Sequence, residues 1–392
     1  MEENNKNNEP LNKDFKVPKL RFPEFKDEWK KIKLSDISTR ITEKNKSNRE
    51  LVPLTISAQN GIINQYDYFD KQIASLNLSN YYILRNGDFA YNKSYSNGYP
   101  YGTVKKLDKF EEGALSSLYI CFKVINVDSN YLTFYFDSNK WNREVKLISG
   151  EGARNHGLLN LSPVDFFNIK LFISSNNKEQ IKIAYFLKLL NRKIKLLSLK
   201  IQALKKYKEG LISRGLKLII GNNKFVKFKS LFEEYNVKNE EDFLPYTVGK
   251  YGLKQIQDFN YNISNHKVFK PNSLLIGLGI EEIAFSTKTT GSVSPVYNVY
   301  SLKSCCDDSF VNIFLKPLLW IKKAFITKKS TRREFEIDKK ALENMKIPYL
   351  NSNEIKYLCY SIKKVDKLIE TLMDKKDKLD FCKKYLLEAM FI

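Results

Sequence analysis

Histidine is nearly missing from the 392 residues, with only His156 and His266 present. Two isolated imidazoles supply neither a zinc-binding set nor paired acid-base groups, so no metal site and no histidine-based catalysis is expected. The five cysteines, Cys121, Cys305, Cys306, Cys359 and Cys382, show no CxxC spacing. Their odd number suits reduced thiols in ordinary packing better than a disulfide framework. Phosphate-cradling loops are absent too. No Walker sequence occurs, and Gly277-x-Gly279 and Gly150-x-Gly152 lack the third glycine of a dinucleotide fingerprint, so both read as turns. Without a Pro-Pro dipeptide, the Asn-Pro-Pro-aromatic loop with which amino methyltransferases grip a flipped base is excluded. The chain is therefore expected to be a non-catalytic component that binds no cofactor itself. No run reaches the roughly 18 apolar residues of a membrane span. Residues 1–16, rich in Asn and charge, are no secretory leader and read as a disordered tail on a cytoplasmic protein.

What the chain has in excess is positive charge: 66 Lys and Arg against 44 Asp and Glu, a formal net charge of +22. Clustered cations gain affinity by releasing phosphate counterions, so a nucleic acid is the first partner to consider, with an anionic membrane surface as the competitor. At 43% hydrophobic and 13% aromatic residues, the length accommodates two domains with cores of their own.

The chain also repeats itself. Gly113-Ala114-Leu115-Ser116-Ser117-Leu118-Tyr119 returns as Gly291-Ser292-Val293-Ser294-Pro295-Val296-Tyr297, displaced by 178 residues (291 minus 113). Leu51-Val52-Pro53-Leu54-Thr55 with Gly61 parallels Phe243-Leu244-Pro245-Tyr246-Thr247 with Gly252. Ile83 to Asp88 likewise parallels Val268 to Ser273. Each copy alternates short apolar stretches with Gly, Asn and Ser turns, the pattern of a small α+β domain. The expected domains are 17–175 and 222–350.

A heptad helix follows each copy, expected over 176–215 and 352–390. In the first, apolar residues fall at Ile183, Leu187, Leu190, Ile194, Leu197, Ile201 and Leu204, are interrupted by Lys208 and resume at Leu211. In the second they fall at Ile355, Leu358, Ile362, Val365, Ile369 and Leu372, are interrupted by Lys376 and resume at Leu379 and Leu386. Steps of three and four make a coiled-coil seam. A dozen buried aliphatic side chains at roughly 1.5 to 3 kcal/mol each can hold together two helices that would be marginal alone. The competing reading is a pair of core helices in an ordinary bundle. A helix of about 33 residues rises about 50 Å, more than one duplex turn of about 34 Å, so an antiparallel pair with a pseudo-two-fold axis can set a spacing. The first helix is rich in lysine, from Lys182 to Lys208, and faces phosphate, an acidic partner or solvent.

Where the copies differ, the tips carry side chains suited to nucleic acid. Lys93, Ser94, Tyr95 and Tyr99 have no close twin at Gly277 to Ile280, and Arg154, Asn155 and His156 are answered by Lys328, Lys329, Arg332 and Arg333. Arg and Lys pair with guanine, Asn with adenine, and Ser, Thr or Tyr with phosphate. Lys250, Tyr251, Lys254, Lys288 and Thr289 join the candidates by position in the repeat. The alternative for each is a solvated loop residue, and the stretch Tyr95 to Tyr101 could instead be core or a base-stacking platform.

The opening Val17-Pro18-Lys19-Leu20-Arg21-Phe22-Pro23-Glu24-Phe25, followed by Trp29 and Leu34-Ser35-Asp36-Ile37, resembles the start of type I restriction-modification specificity (S) subunits. Glu179-Gln180 through Ile194 to Tyr207-Lys208-Glu209-Gly210-Leu211 is similar to that family's central conserved helix. The resemblance implies two target recognition domains reading the two parts of an asymmetric bipartite site in double-stranded DNA. It further implies helices that set the gap and dock two DNA methyltransferase (M) subunits, with restriction/translocase (R) subunits joining the complex. S-adenosylmethionine, ATP and Mg would belong to those partners. One departure stands out: Phe225-Val226-Lys227-Phe228-Lys229-Ser230-Leu231 follows directly on Gly221 where relatives repeat the Trp and Leu-x-Asp opening, which blurs the start of the second domain. The alternative function is a basic coiled-coil scaffold binding RNA or protein without sequence preference.

Overall fold

The structure is a computed structural model that describes residues 17–68, 77–96, 98–149, 157, 159–249, 252–258, 262–277, 283–286, 288–303, 308–315, 327–329, 335–349 and 353–392. The expected tail, 1–16, lies outside them. The chain divides into two compact units: unit 1 is Met1–Leu197 with Lys375–Ile392, and unit 2 is Ser198–Asp374.

Unit 1 contains β1 (Lys30–Lys33), β2 (Ser38–Arg40), β3 (Pro53–Ser57), β4 (Gly61–Asn64), β5 (Tyr82–Arg85), β6 (Phe89–Asn92), β7 (Thr103–Lys106), β8 (Glu112–Leu115), β9 (Ile120–Val124) and β10 (Lys170–Ile173). They form sheets in the orders β4-β3-β8-β5, β2-β9-β6-β7 and β1-β10, antiparallel except where β3 runs parallel to β8. Successive side chains of a strand face opposite ways, and β6 uses this to divide its residues between two cores. Phe89 and Tyr91 join the aromatic core of Trp29, Phe122, Trp141 and Phe166, whereas Ala90 joins Leu54, Ile56, Ile62 and Leu115.

Unit 2 repeats this plan. Its strands are β11 (Phe225–Lys227), β12 (Phe232–Glu234), β13 (Pro245–Gly249), β14 (Gly252–Gln255), β15 (Lys267–Phe269), β16 (Ser273–Ile276), β17 (Ile283–Ser286), β18 (Gly291–Val293) and β19 (Asn298–Leu302), then a hairpin of β20 (Thr327–Lys329) with β21 (Phe335–Ile337), and β22 (Lys346–Pro348). The orders β14-β13-β18-β15, β12-β19-β16-β17 and β11-β22 match those of unit 1 strand for strand, down to the parallel pairing of β13 with β18. Here β16 sends Leu274 and Ile276 to one core and Leu275 to the other. Gly61 and Gly252 occupy the same hairpin turn with φ of +80° and +109°, a region that costs other residues strain.

The same backbone hydrogen bond follows the first strand of each unit. The Leu34 amide donates to the Ile169 carbonyl at 3.0 Å, and the Phe228 amide donates to the Met345 carbonyl at 3.0 Å. Both residues are fully buried just after the first strand of their unit. Phe228 therefore stands where Leu34 stands, and the strand pairing is kept although the exposed Asn223 stands where Trp29 is buried in the first copy.

The long helices are Asn177–Gly221 and Asn353–Ala389. The first runs past the expected end at 215, because Gly215 lies inside the helix. A Cβ there would come within 2.3 Å of the Phe314 ring, so the glycine lets that ring pack against helical backbone. In unit 2 the helices are antiparallel: Lys208 Nζ donates to Asp366 at 2.6 Å, and Arg214 to Glu354 at 2.8 Å. Seam residues Ile355, Leu358 and Ile362 are buried there in one core with Ile219. In unit 1, Ile183 and Leu187 share the aromatic core with Leu386, Leu387, Met390 and Phe391. The lysines that interrupt the heptads, Lys208 and Lys376, stay half-buried and bond Asp366 and Asp380, which satisfies their charge without a break in either helix.

Candidate nucleic-acid interface

Lys93 and Ser94 follow β6 and line a cleft of about 360 Å³ together with Arg40, Asn92, Ser117, Leu118, Tyr119, Ile120 and Pro163. The walls come from strand ends. Arg40 closes β2 opposite Phe122 of β9, and Asn92 closes β6 opposite Thr103 of β7. The loop is pinned on both sides, since the Ser94 amide donates to Asn92 Oδ1 at 2.9 Å and the Leu159 amide to the Lys93 carbonyl at 3.0 Å. Tyr119 reaches the cleft while its hydroxyl lies 3.4 Å from Thr55 Oγ1. Of the residues expected from the sequence, Lys93 and Ser94 line this cleft, beside Arg40, Asn92 and Ser117, which were not among them.

The neighbouring tyrosines separate. Tyr95 is exposed, with its amide donating to the Gly157 carbonyl at 2.7 Å. Tyr99 is half-buried beneath the Lys105 ammonium, 5.7 Å from the ring centroid. Tyr101 packs on the aromatic core, and its carbonyl accepts the Tyr91 hydroxyl at 2.8 Å. Arg154, Asn155 and His156 lie outside the described residues.

In unit 2, Lys254 is exposed on the edge strand β14, opposite Thr247. Lys288 is exposed in the turn before β18, where the Thr289 carbonyl accepts the Ser286 hydroxyl at 2.6 Å. Lys328 and Lys329 belong to β20, in register with Glu336 and Phe335. Lys250, Tyr251, Arg332 and Arg333 lie outside the described residues. His266 is buried, with Nδ1 3.3 Å from Ser292 Oγ, and burial pushes its imidazole below the ordinary histidine value.

Several cations of unit 1 are committed to the fold. Arg21 makes a two-pronged bond to Glu179, at 2.6 and 2.9 Å, and the buried carboxylate also accepts from Trp29 Nε1 at 3.3 Å and from Ser174 Oγ at 2.5 Å. Gln180, also buried, accepts from the Asp128 amide at 2.9 Å and donates to the Ser174 carbonyl at 2.7 Å. Glu179-Gln180 thus staples three separate stretches to the first turn of the helix. Lys182 bonds Glu24 and lies over the Phe22 ring, 4.5 Å from its centroid. Lys105 pairs with Asp137 at 2.8 Å, and Lys106 donates to Asn130 at 2.6 Å, with burial lowering the proton affinity of its ammonium. Among the described residues, no ion pair or side-chain hydrogen bond engages Arg40 or Lys93.

On the first helix, Ile181, Tyr185, Leu189 and Leu196 of unit 1 are exposed. At 100° per residue they lie on the side opposite Ile183, Leu187 and Leu190. Among the described residues no helix is long and apolar enough to cross a membrane, and no group of three or more His, Cys, Asp or Glu is placed to hold a metal.

No family model and no curated protein matches this sequence. Solved structures do. The S subunit of a type I restriction-modification system from M. genitalium is 15% identical over 96% of this chain and 99% of its own, with a TM-score of 0.55. The HsdS subunit from Thermoanaerobacter tengcongensis is 14% identical over 93% of this chain and 96% of its own, with a TM-score of 0.50. The chain thus has the fold of type I restriction-modification S subunits.

Proposed function

We propose that the chain is the DNA sequence-specificity subunit of a type I restriction-modification complex, and is not itself catalytic. Each unit reads one part of an asymmetric bipartite site in duplex DNA. The two helices, each running from one unit into the other, set the gap between the parts and dock two M subunits, with R subunits completing the complex. S-adenosylmethionine, ATP and Mg are bound by those partners.

The observation that carries this reading is one strand plan, built twice, with unlike side chains at corresponding places. Arg40 ends β2 opposite Phe122, whereas Glu234 ends β12 opposite Tyr300 and bonds Lys339. A scaffold kept constant while its polar tips change suits two readers of different sequence better than one uniform basic surface. The net charge of +22 suits a phosphate backbone. The apolar stripe Ile181, Tyr185, Leu189 and Leu196 supports docking of M subunits, since an exposed apolar helix face gains by being covered.

Footprinting of the chain assembled with its M subunits tests this. Two protected patches flanking an unspecific gap are expected. A single continuous patch, or protection that ignores sequence as a basic RNA- or protein-binding scaffold would give, contradicts it.

A further inference from the structure

We infer that the cleft beside β6 in unit 1 holds one phosphodiester of the DNA strand, with Arg40 and Lys93 as its cationic contacts; this rests on the DNA-reading function proposed above. Beside the apolar Leu118, Ile120 and Pro163, the charged side chains of the lining are all cationic. Arg40 and Lys93 are donors only, Asn92 can donate through its side-chain amide while its Oδ1 accepts from the Ser94 amide, and Ser94 and Ser117 add hydroxyls. No carboxylate is among the lining residues. A negative, acceptor-rich group suits the two cations, which describes a phosphate. A guanine edge also offers acceptors, but it is neutral and leaves the two cations without an opposite charge.

The fold does not require this charge. Unit 2 builds the same strand end with Glu234, whose carboxylate is tied to Lys339, so an arginine at position 40 serves something other than strand pairing. Arg40 and Lys93 are also uncommitted to other side chains among the described residues, in contrast to Arg21, Lys105 and Lys182. Both stand on pinned backbone, Arg40 in β2 and Lys93 with its carbonyl held by Leu159, so a strand meets them in fixed positions.

The test is the salt dependence of duplex binding by the full chain, read as the slope of log affinity against log salt. Arg40→Glu installs the residue that unit 2 carries at this place, and Lys93→Gln removes the second cation where the first variant fails to fold. Each is expected to make the slope shallower by about one, while Lys170→Gln, an exposed lysine on β10, leaves it unchanged. Slopes equal to wild type in both cleft variants overturn the inference, as does an equal change in Lys170→Gln. A melting shift induced by inorganic phosphate and abolished by Arg40→Glu, with the DNA slope unaltered, assigns the cleft to free phosphate and also overturns it. The two readings fail separately: sequence-selective binding with unchanged slopes removes only the phosphodiester, whereas altered slopes without sequence selectivity remove only the sequence-reading function.

Discussion

The Thr247 hydroxyl lies 3.2 Å from the Tyr297 hydroxyl in unit 2, and Thr55 and Tyr119 repeat the contact at 3.4 Å in unit 1. Each pair joins a residue of the strand that begins at a proline to the tyrosine that ends the repeated glycine-led segment. Tyr297 is the more deeply buried of the two tyrosines. Tyr297→Phe is expected to cost about 1 kcal/mol and Tyr119→Phe less, as measured by urea denaturation.

Gly113 and Gly291 are the second mark of the repeat. A Cβ would come within 2.5 Å of Leu54 at the first and 2.6 Å of Tyr246 at the second, the residue after the proline in both cases. Alanine at either site is expected to destabilise its unit by about 1 to 3 kcal/mol through overpacking. An equally stable Gly291→Ala protein in a denaturant titration would refute this use of the glycines.

At Gly215, alanine should be favoured by helix propensity by about 1 kcal/mol. Contact with the Phe314 ring predicts the reverse, a net loss. Combining Gly215→Ala with Phe314→Leu should recover part of it, and a thermal melt of the single and double variants decides.

Removing the Glu179 carboxylate strands the Arg21 guanidinium and leaves Trp29 and Ser174 without their acceptor. Glu179→Leu is expected to cost about 3 to 5 kcal/mol, and adding Arg21→Met should return some of that. The double-mutant cycle is read from chemical unfolding.

Because burial lowers the His266 proton affinity, the unfolded chain binds that proton more readily than the folded one. Stability therefore rises with pH through the ordinary histidine value of about 6.5, is fully present above it, and is lost as pH falls below it. His266→Tyr removes the titration while keeping the residue type of unit 1, where the Tyr81 carbonyl accepts from Asn45 as the His266 carbonyl does from Asn239. Melting at pH 5.5 against pH 7.5 should show a smaller difference in the variant.

Much of the fold was legible because it is periodic or repeated. The heptads marked both helices, and Pro-x-Thr and the glycine-led segments marked the same strands twice. What escaped was set by long-range contact. Gly215 coincided with the expected helix end, yet its absent side chain serves Phe314, a hundred residues on. Arg21, Trp29 and Ser174 gave no local sign of meeting at Glu179. The cleft was half visible: Lys93 and Ser94 lie in a loop that differs between the copies, but Arg40 sits at the end of a three-residue strand. Aligning Leu34 with Phe228 would have set Arg40 against Glu234 and exposed the charge reversal.

The most direct measurement is genome-wide sequencing of methylated adenines in cells carrying this chain with its M subunits. Tyr95→Ala with Tyr99→Ala is compared there against Lys254→Ala with Lys288→Ala. Two half-sites separated by a fixed gap are expected, with the unit 1 pair relaxing one half and the unit 2 pair the other. A continuous motif, or both halves changing together in either variant, would contradict the account.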